Sequence, residues 1–541
     1  MRAKRRIVLE ARMRNENDSF PVGCAAHPGG RGLSRRKFLG QCAACAGAAG
    51  FSAASPSWLQ GAFQAAPKGP RIRVVYALHG PVQEVPDWPN KGFDFRPVME
   101  RTNAELGNRF PAYAFLPSLA AGEEQAKKIL EGDASQAIDG YLVVQMNCWN
   151  RVAQTLAASG KPVLYSDFAY AGSGGFLVYT AGFLRAKQSN LGFVSSSRMD
   201  DLAAAVKIFA DAKAAGPGFD FAAASARIRV ATTRPPGDLS LKDDALSTLS
   251  AEETIRRMKA SKILAVRGPE KQPDAAVMGI PVVYLPFAEL NDAWAAADKD
   301  EARAVAERWV KNAALVEGVS RDEIINSAAM YLGQKAVLRK HGANAITINC
   351  LGGFYGGHIH AYPCLGFMEL LNEGLVGACE CDVPSSAAMV ALTTMSQGRP
   401  GFISDPVLDT SRRQVIYAHC VASNRALGPK GPANFYQILT HSEDRQGASI
   451  RSLLPEGYLT TTVEVSDPRR EILFHQGKAV GNDPNDRACR TKLCAEPLGD
   501  FEKLFTMWDT WGWHRVTFYG DLKKPVHDLA GALGWKVVEE T

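Results

Sequence analysis

A chain of 541 residues, 46% hydrophobic and 22% charged, has a globular composition but is too long for one core, and at roughly 100 to 200 residues per domain it predicts about three domains. The net charge of +6 is uneven: residues 1–54 hold ten Lys or Arg against three acids, which leaves 52 basic and 53 acidic side chains in the remainder. A nearly neutral body gives no basic face for nucleic acid, and no tract approaches the ~18 apolar residues of a stable membrane span.

The imbalance belongs to the leader. LSRRKFLGQCAACAGAAGFSAASPSW, from Leu33, sets Arg35 and Arg36 ahead of Phe38 and Leu39, then a weakly hydrophobic Ala/Gly stretch and small residues before Pro56. This pattern predicts a twin-arginine signal over 1–54 and a linker over 55–70, with the twin-arginine translocase as transient partner and a periplasmic or extracellular destination. Eight cysteines follow the leader, and in an oxidising compartment proximity favours pairing of Cys489 with Cys494.

From residue 71 the pattern alternates strand and helix. RIRVVYAL at 71, YLVVQM at 141 and PVLYSD at 162 have strand length, while EEQAKKIL at 123 and DLAAAVKIFADAKAA at 201 are helical. A second series runs through RIRVATT at 227, KILAVRG at 262, IPVVYLP at 280 and AITINC at 345, all predicted strands. Its helices begin after Ser250 and Ser320, each with a Glu three residues on, the capping-box spacing. Near residue 405 the texture becomes β-rich, with RQVIYAHC at 413, YLTTTVEVS at 458 and REILFHQG at 470. The predicted fold is α/β: two doubly wound parallel-sheet domains, 71–225 and 226–405, followed by a β-rich domain, 406–541.

GACECDVPSSAAM, from Gly377, concentrates the candidate chemistry. In an extended strand Glu380 and Asp382 share one face while Cys379 and Cys381 share the other, which splits the four as a metal site and leaves the cysteines as core residues. Acids at the end of an apolar run must be paired, protonated or metal-bound. Two readings stay open: Asp382 caps the helix that starts near Pro384, or the acids act on a ligand at the carboxyl end of a strand. GGFYGGHIHAYPC adds His358 and His360 at H-x-H spacing, a common first-row metal arrangement. His419 and His514 lie in apolar strand-like context, where a lone histidine is usually a satisfied core residue. Trp511 and Trp513 beside His514 suit either sugar stacking or core packing.

NAITINC, the Gly-rich loop, PCLGFMELLNEGLVGACECDVPSSAAM and the terminal WGWHRVTFYGD together resemble the carboxyl-terminal half of the L-fucose isomerase family, with arabinose isomerases as more distant members. The resemblance implies aldose–ketose isomerisation through an enediol at a divalent metal, manganese foremost, held by a Glu, an Asp and a late His. It carries the metal Asp onto Asp382 and the His onto His514, and it implies a small-molecule sugar substrate and a trimeric or hexameric assembly. The family's metal Glu falls at Tyr355, with no acid from Leu351 to Met368. His358 or His360 then stands in as ligand, Glu380 as base, and Tyr355, Trp511 and Trp513 as substrate contacts. The competing functions are an exported sugar-binding protein without turnover, and a different metal-dependent reaction, epimerase or lyase, on the same scaffold.

Overall fold

The computed structural model describes residues 68–541; the predicted export signal, with Arg35 and Arg36, lies outside the described residues. The first apolar runs form β1 (Arg71–Ala77), β2 (Ala114–Ala120), β3 (Gly140–Gln145), β4 (Val163–Asp167) and β5 (Leu191–Val194). They pair in parallel in the order β2-β1-β3-β4-β5, a doubly wound arrangement with helical crossovers.

RIRVATT at 227 departs from expectation. It is the end of a helix, Phe221–Thr232, whose Asp220 cap accepts the Ala223 N–H at 2.8 Å. Phe221, Ala224, Ser225 and Arg229 are its buried side chains. The Ala-rich start and this helical spacing override the β-branched residues at its end.

The second sheet is built from β6 (Ile263–Gly268), β7 (Ala275–Val277), β8 (Ile280–Pro286), β10 (Ala345–Ile348) and β11 (Val376–Cys379), in the order β11-β10-β6-β8-β7. All pairs are parallel except the edge pair β7–β8. Ser250 and Ser320 cap their helices as the capping-box spacing predicts, each accepting from the Glu backbone N–H three residues on.

The carboxyl-terminal region is β-rich. A small sheet joins β9 (Leu315–Val316) to β14 (Tyr436–Leu439) and β15 (Ser449–Ser452). The larger one contains β12 (Phe402–Asp409), β13 (Gln414–His419), β16 (Leu459–Ser466), β17 (Glu471–Asn482), β18 (Thr491–Pro497), β19 (Arg515–Tyr519) and β20 (Lys536–Glu539). Its order β16-β19-β12-β13-β18-β17 closes through a β16–β17 pairing into a barrel, with β20 added in parallel to β17. Closure removes the exposed edges that an open antiparallel sheet would carry.

The barrel packs against both sheets. Ile403, Val407, Val463 and Phe518 share a core with the second sheet, and Leu408, Val415, Leu493 and Phe505 share one with the first. Among the described residues all eight cysteines are free and buried. Cys494 sits in β18 opposite Ile416, and Cys489 lies ahead of that strand on the Ser442 hydroxyl. The expected Cys489–Cys494 bond is absent because the intervening chain is extended, at ~3.3 Å per residue.

Candidate metal centre

The carboxyl end of β11 meets the barrel. β11 stops at Cys379 and only three residues separate it from the next helix, Val383–Met395, so the chain must reverse sharply. It does so with Glu380 at φ 60° and Cys381 at φ 55°, two consecutive non-glycine residues in the left-handed region. Such conformations cost of order 1–2 kcal/mol each and cluster at functional sites. The strand alternation expected across Cys379–Asp382 therefore does not exist. Cys379 packs against Cys350, with 3.0 Å between the sulfurs, whereas Glu380, Cys381 and Asp382 all line one cavity.

Four side chains converge there: Glu380, Asp405, His419 and His514, whose ligand atoms all lie within 4.8 Å of one another. The barrel supplies three of them through neighbouring strands. β12 carries Asp405 and is flanked by β13, which ends at His419, and by β19, which His514 immediately precedes. His514 Nε2 stands 3.0 Å from Asp405 Oδ1 and 3.5 Å from Glu380 Oε2. His419 Nε2 stands 3.8 Å from Glu380 Oε1 and 4.0 Å from Asp405 Oδ2.

Asp382 acts from behind. Its Oδ2 lies 2.8 Å from His514 Nδ1, while its Oδ1 accepts the Ser385 N–H at 2.9 Å and caps the helix. With Nδ1–H donated to Asp382, Nε2 is the ring atom left to face an ion, the usual orientation of a metal-ligating imidazole with its supporting acid.

The cluster fits a divalent ion. Ligands about 2.1 Å from an ion stand roughly 3 to 4 Å apart, as these do. Two carboxylates, Glu380 and the buried Asp405, face one another across His514, a concentration of buried negative charge that an ion would relieve. The donor set of carboxylate and imidazole suits Mn, Fe, Co or Zn. His419 is the weakest donor of the four, because its Nδ1 takes the Cys420 N–H at 3.0 Å and a neutral ring then carries its proton on Nε2.

Electrostatics tie the group together. Burial opposes protonation of His514, yet Asp405, Asp382 and Glu380 hold it well above its ordinary value. Burial would raise Glu380, but the His514 ring beside it draws the carboxyl down to about 2. Burial raises Asp405 against the pull of the two histidines.

Several other expected site residues lie elsewhere. After Gly357, at φ 70°, the chain turns away from the cluster, and His358 stacks on Phe287 at 5.4 Å while His360 sits 6.0 Å from Trp294. Tyr355 donates to Glu443 Oε2 at 3.1 Å. Trp511 lies under Arg469 at 4.1 Å. Trp513 packs edge-on to Trp88 and Trp149, at 5.2 and 6.2 Å, and donates to the Pro406 carbonyl at 3.1 Å. A Cβ added at Gly174 would meet the Trp513 ring at 2.4 Å, so glycine permits this joint between the first sheet and the barrel.

The cavity over the cluster measures about 450 Å³ and is lined by Glu380, Cys381, Asp382 and His514 together with Arg267, Val277 and Tyr284. That volume lies within the range of small-molecule sites, ~300–1,000 Å³. Asp405 and Arg267 escaped the sequence reading; the signal for Asp405 was an acid inside the apolar run FISDPVLD, which becomes a wholly buried strand.

No protein-family model matches the chain. It is similar to sulfoquinovose isomerases of Priestia aryabhattai and Priestia megaterium, each 26% identical over 118 residues, covering 21% of this chain and 26% of theirs. A sulfoquinovose isomerase of Alkalicoccus urumqiensis is 26% identical over 161 residues, covering 28% of this chain and 36% of its own. The matched segment thus spans about a quarter to a third of the relatives' length.

Proposed function

We propose that the chain is a metal-dependent aldose–ketose isomerase of the L-fucose isomerase kind. The observation that carries this reading is the convergence of Glu380, Asp405 and His514 on one point beneath a sugar-sized cavity. A Glu, an Asp and a late His are the ligand set that the family resemblance implies. Glu380 and Asp405 supply the two acids, so no residue of the Gly-rich loop is required. The sulfoquinovose isomerase relatives support the same reaction class.

Glu380, Asp405 and His514 would hold the ion, with His419 beside them. When bound, a divalent ion polarises the oxygens on the two reacting carbons. Only Glu380 and His514 of the four line the cavity, and Glu380, ionised by its histidine neighbour, is the carboxylate that reaches substrate. It takes the proton from C2 of the aldose; the C–H electron pair forms the C1=C2 bond of an enediol. The hydroxyl proton of C2 passes to the C1 oxygen, and Glu380 returns its proton to C1 as the C2 carbonyl forms. A positioned acid–base group of this kind contributes about 10² to 10⁴ in rate.

Manganese is the proposed ion and export by the twin-arginine route the proposed path, as the leader motif suggests. The test is turnover on a panel of aldoses that includes sulfoquinovose, with exchange of solvent deuterium into C1 of the ketose. Loss of turnover on chelation and its return with Mn²⁺ is expected. Tight sugar binding with no turnover under any metal would overturn the reading in favour of a binding protein.

A further inference from the structure

The cavity over the cluster is also lined by Arg267, whose guanidinium makes no hydrogen bond or ion pair among the described residues; it lies 6.0 Å from the Tyr284 ring. The backbone aims it there. β6 and β8 pair regularly up to Val266 and Leu285, then slip so that Gly268 faces Pro286, which leaves Arg267 as the bulged residue at the carboxyl end of β6. Bulges beside active sites re-aim a side chain out of the ladder.

An arginine that shares a cavity with two acids, Glu380 and Asp382, would ordinarily pair with one. Here Glu380 and Asp382 are turned to His514, and the five guanidinium donors stay unused. We propose that Arg267 binds an anionic oxygen group, a sulfonate or phosphate, carried by the sugar at the end away from the reacting carbons. The fork geometry of arginine matches such groups two oxygens at a time. The inference rests on the isomerase reading for the pose of the sugar, but the anion contact is measurable without turnover.

The experiment compares glucose, glucose 6-phosphate and glucose carrying a 6-sulfonate on the Mn²⁺-loaded protein and on Arg267→Gln, by calorimetric binding and by turnover. The wild type should bind one or both anionic sugars more tightly than glucose, and the preferred one identifies the group. Arg267→Gln should weaken that binding by about 10- to 100-fold, the worth of a charge-assisted hydrogen bond, through KM with little change in kcat, and weaken glucose far less. Added salt should weaken the wild type more than the variant. Arg267-dependent binding of an anionic sugar without turnover would sustain the inference while sinking the isomerase. Turnover with no preference for the anionic sugars, or an equal loss for charged and neutral sugars in Arg267→Gln, overturns the inference and leaves the isomerase standing.

Discussion

Asp382 Oδ2 lies 2.8 Å from His514 Nδ1, and the other oxygen of the same carboxylate caps the helix Val383–Met395. One side chain thereby fixes both the tautomer of a candidate ligand and the start of the helix that frames the cavity. The two readings left open for Asp382 in the sequence are thus not exclusive.

The two roles separate by substitution. Asn caps a helix as well as Asp does, whereas Ala costs about 1 kcal/mol at this position. Asp382→Asn should keep the thermal midpoint within a degree or two yet weaken metal binding by about 10- to 100-fold, as loss of a supporting carboxylate does. Asp382→Ala should lose both. Calorimetric metal titration and thermal unfolding of the ion-free proteins check this; unchanged metal affinity in Asp382→Asn would show that His514 needs no support.

Metal binding should be strongly pH-dependent. Against the effect of burial, the surrounding acids raise His514 above its ordinary value, so the ion-free ring carries a proton that the metal must displace. Below that raised pKa, apparent affinity should fall about tenfold per pH unit. Mn²⁺ titrations between pH 6 and 8, in two buffers of different ionisation enthalpy, should show about one proton released per ion; a pH-independent affinity with no proton release would remove His514 from the ligand set.

Much of the fold was legible because its strands are short apolar runs between capped helices. Ser250, Ser320 and the strands β1, β3, β4, β6, β8, β10, β13, β16 and β17 illustrate local signals that agree with the global structure. The site was legible in part. Glu380, Asp382 and His514 were visible as acids and an imidazole in apolar context. Their arrangement was not, because the alternation rule assumes a strand through Asp382 and β11 ends at Cys379. Asp405 and His419 come together only through the β12–β13 pairing, a non-local contact that no spacing along the chain encodes.

Glu380→Gln is expected to lower kcat by about 10² to 10⁴ while the fold persists, since Gln keeps the shape and a hydrogen-bonding oxygen. His358→Ala and His360→Ala, whose rings stand on Phe287 and Trp294 rather than at the cluster, should leave metal content unchanged. Stoichiometry by elemental analysis alongside turnover separates the two kinds of residue; loss of metal in either His358 or His360 variant would return the Gly-rich loop to the centre.

Glu540 anchors the strand that presents His514. It accepts from Arg515 at 2.7 Å and contacts His475 Nδ1 at 2.8 Å, all three being buried, and Arg515 donates in turn to the His514 carbonyl at 2.8 Å. Burial would raise the Glu540 carboxyl, but Arg515 and then His475 hold it down at about 2, against 4.5 for the free group. A carboxylate with a depressed folded-state pKa stabilises in full above its unfolded value and loses that contribution as pH falls through the folded value. Glu540→Gln, which strands a buried guanidinium, should therefore destabilise by about 3–5 kcal/mol at pH 7. The gap to the wild type should hold down to pH 4.5 and narrow toward pH 2, as protonation imposes the same loss on the native residue. Denaturant unfolding of both proteins across that range tests the sign: a gap that widens with acid would mean that Glu540 is neutral in the fold, and that Arg515 is held by its carbonyl partners alone.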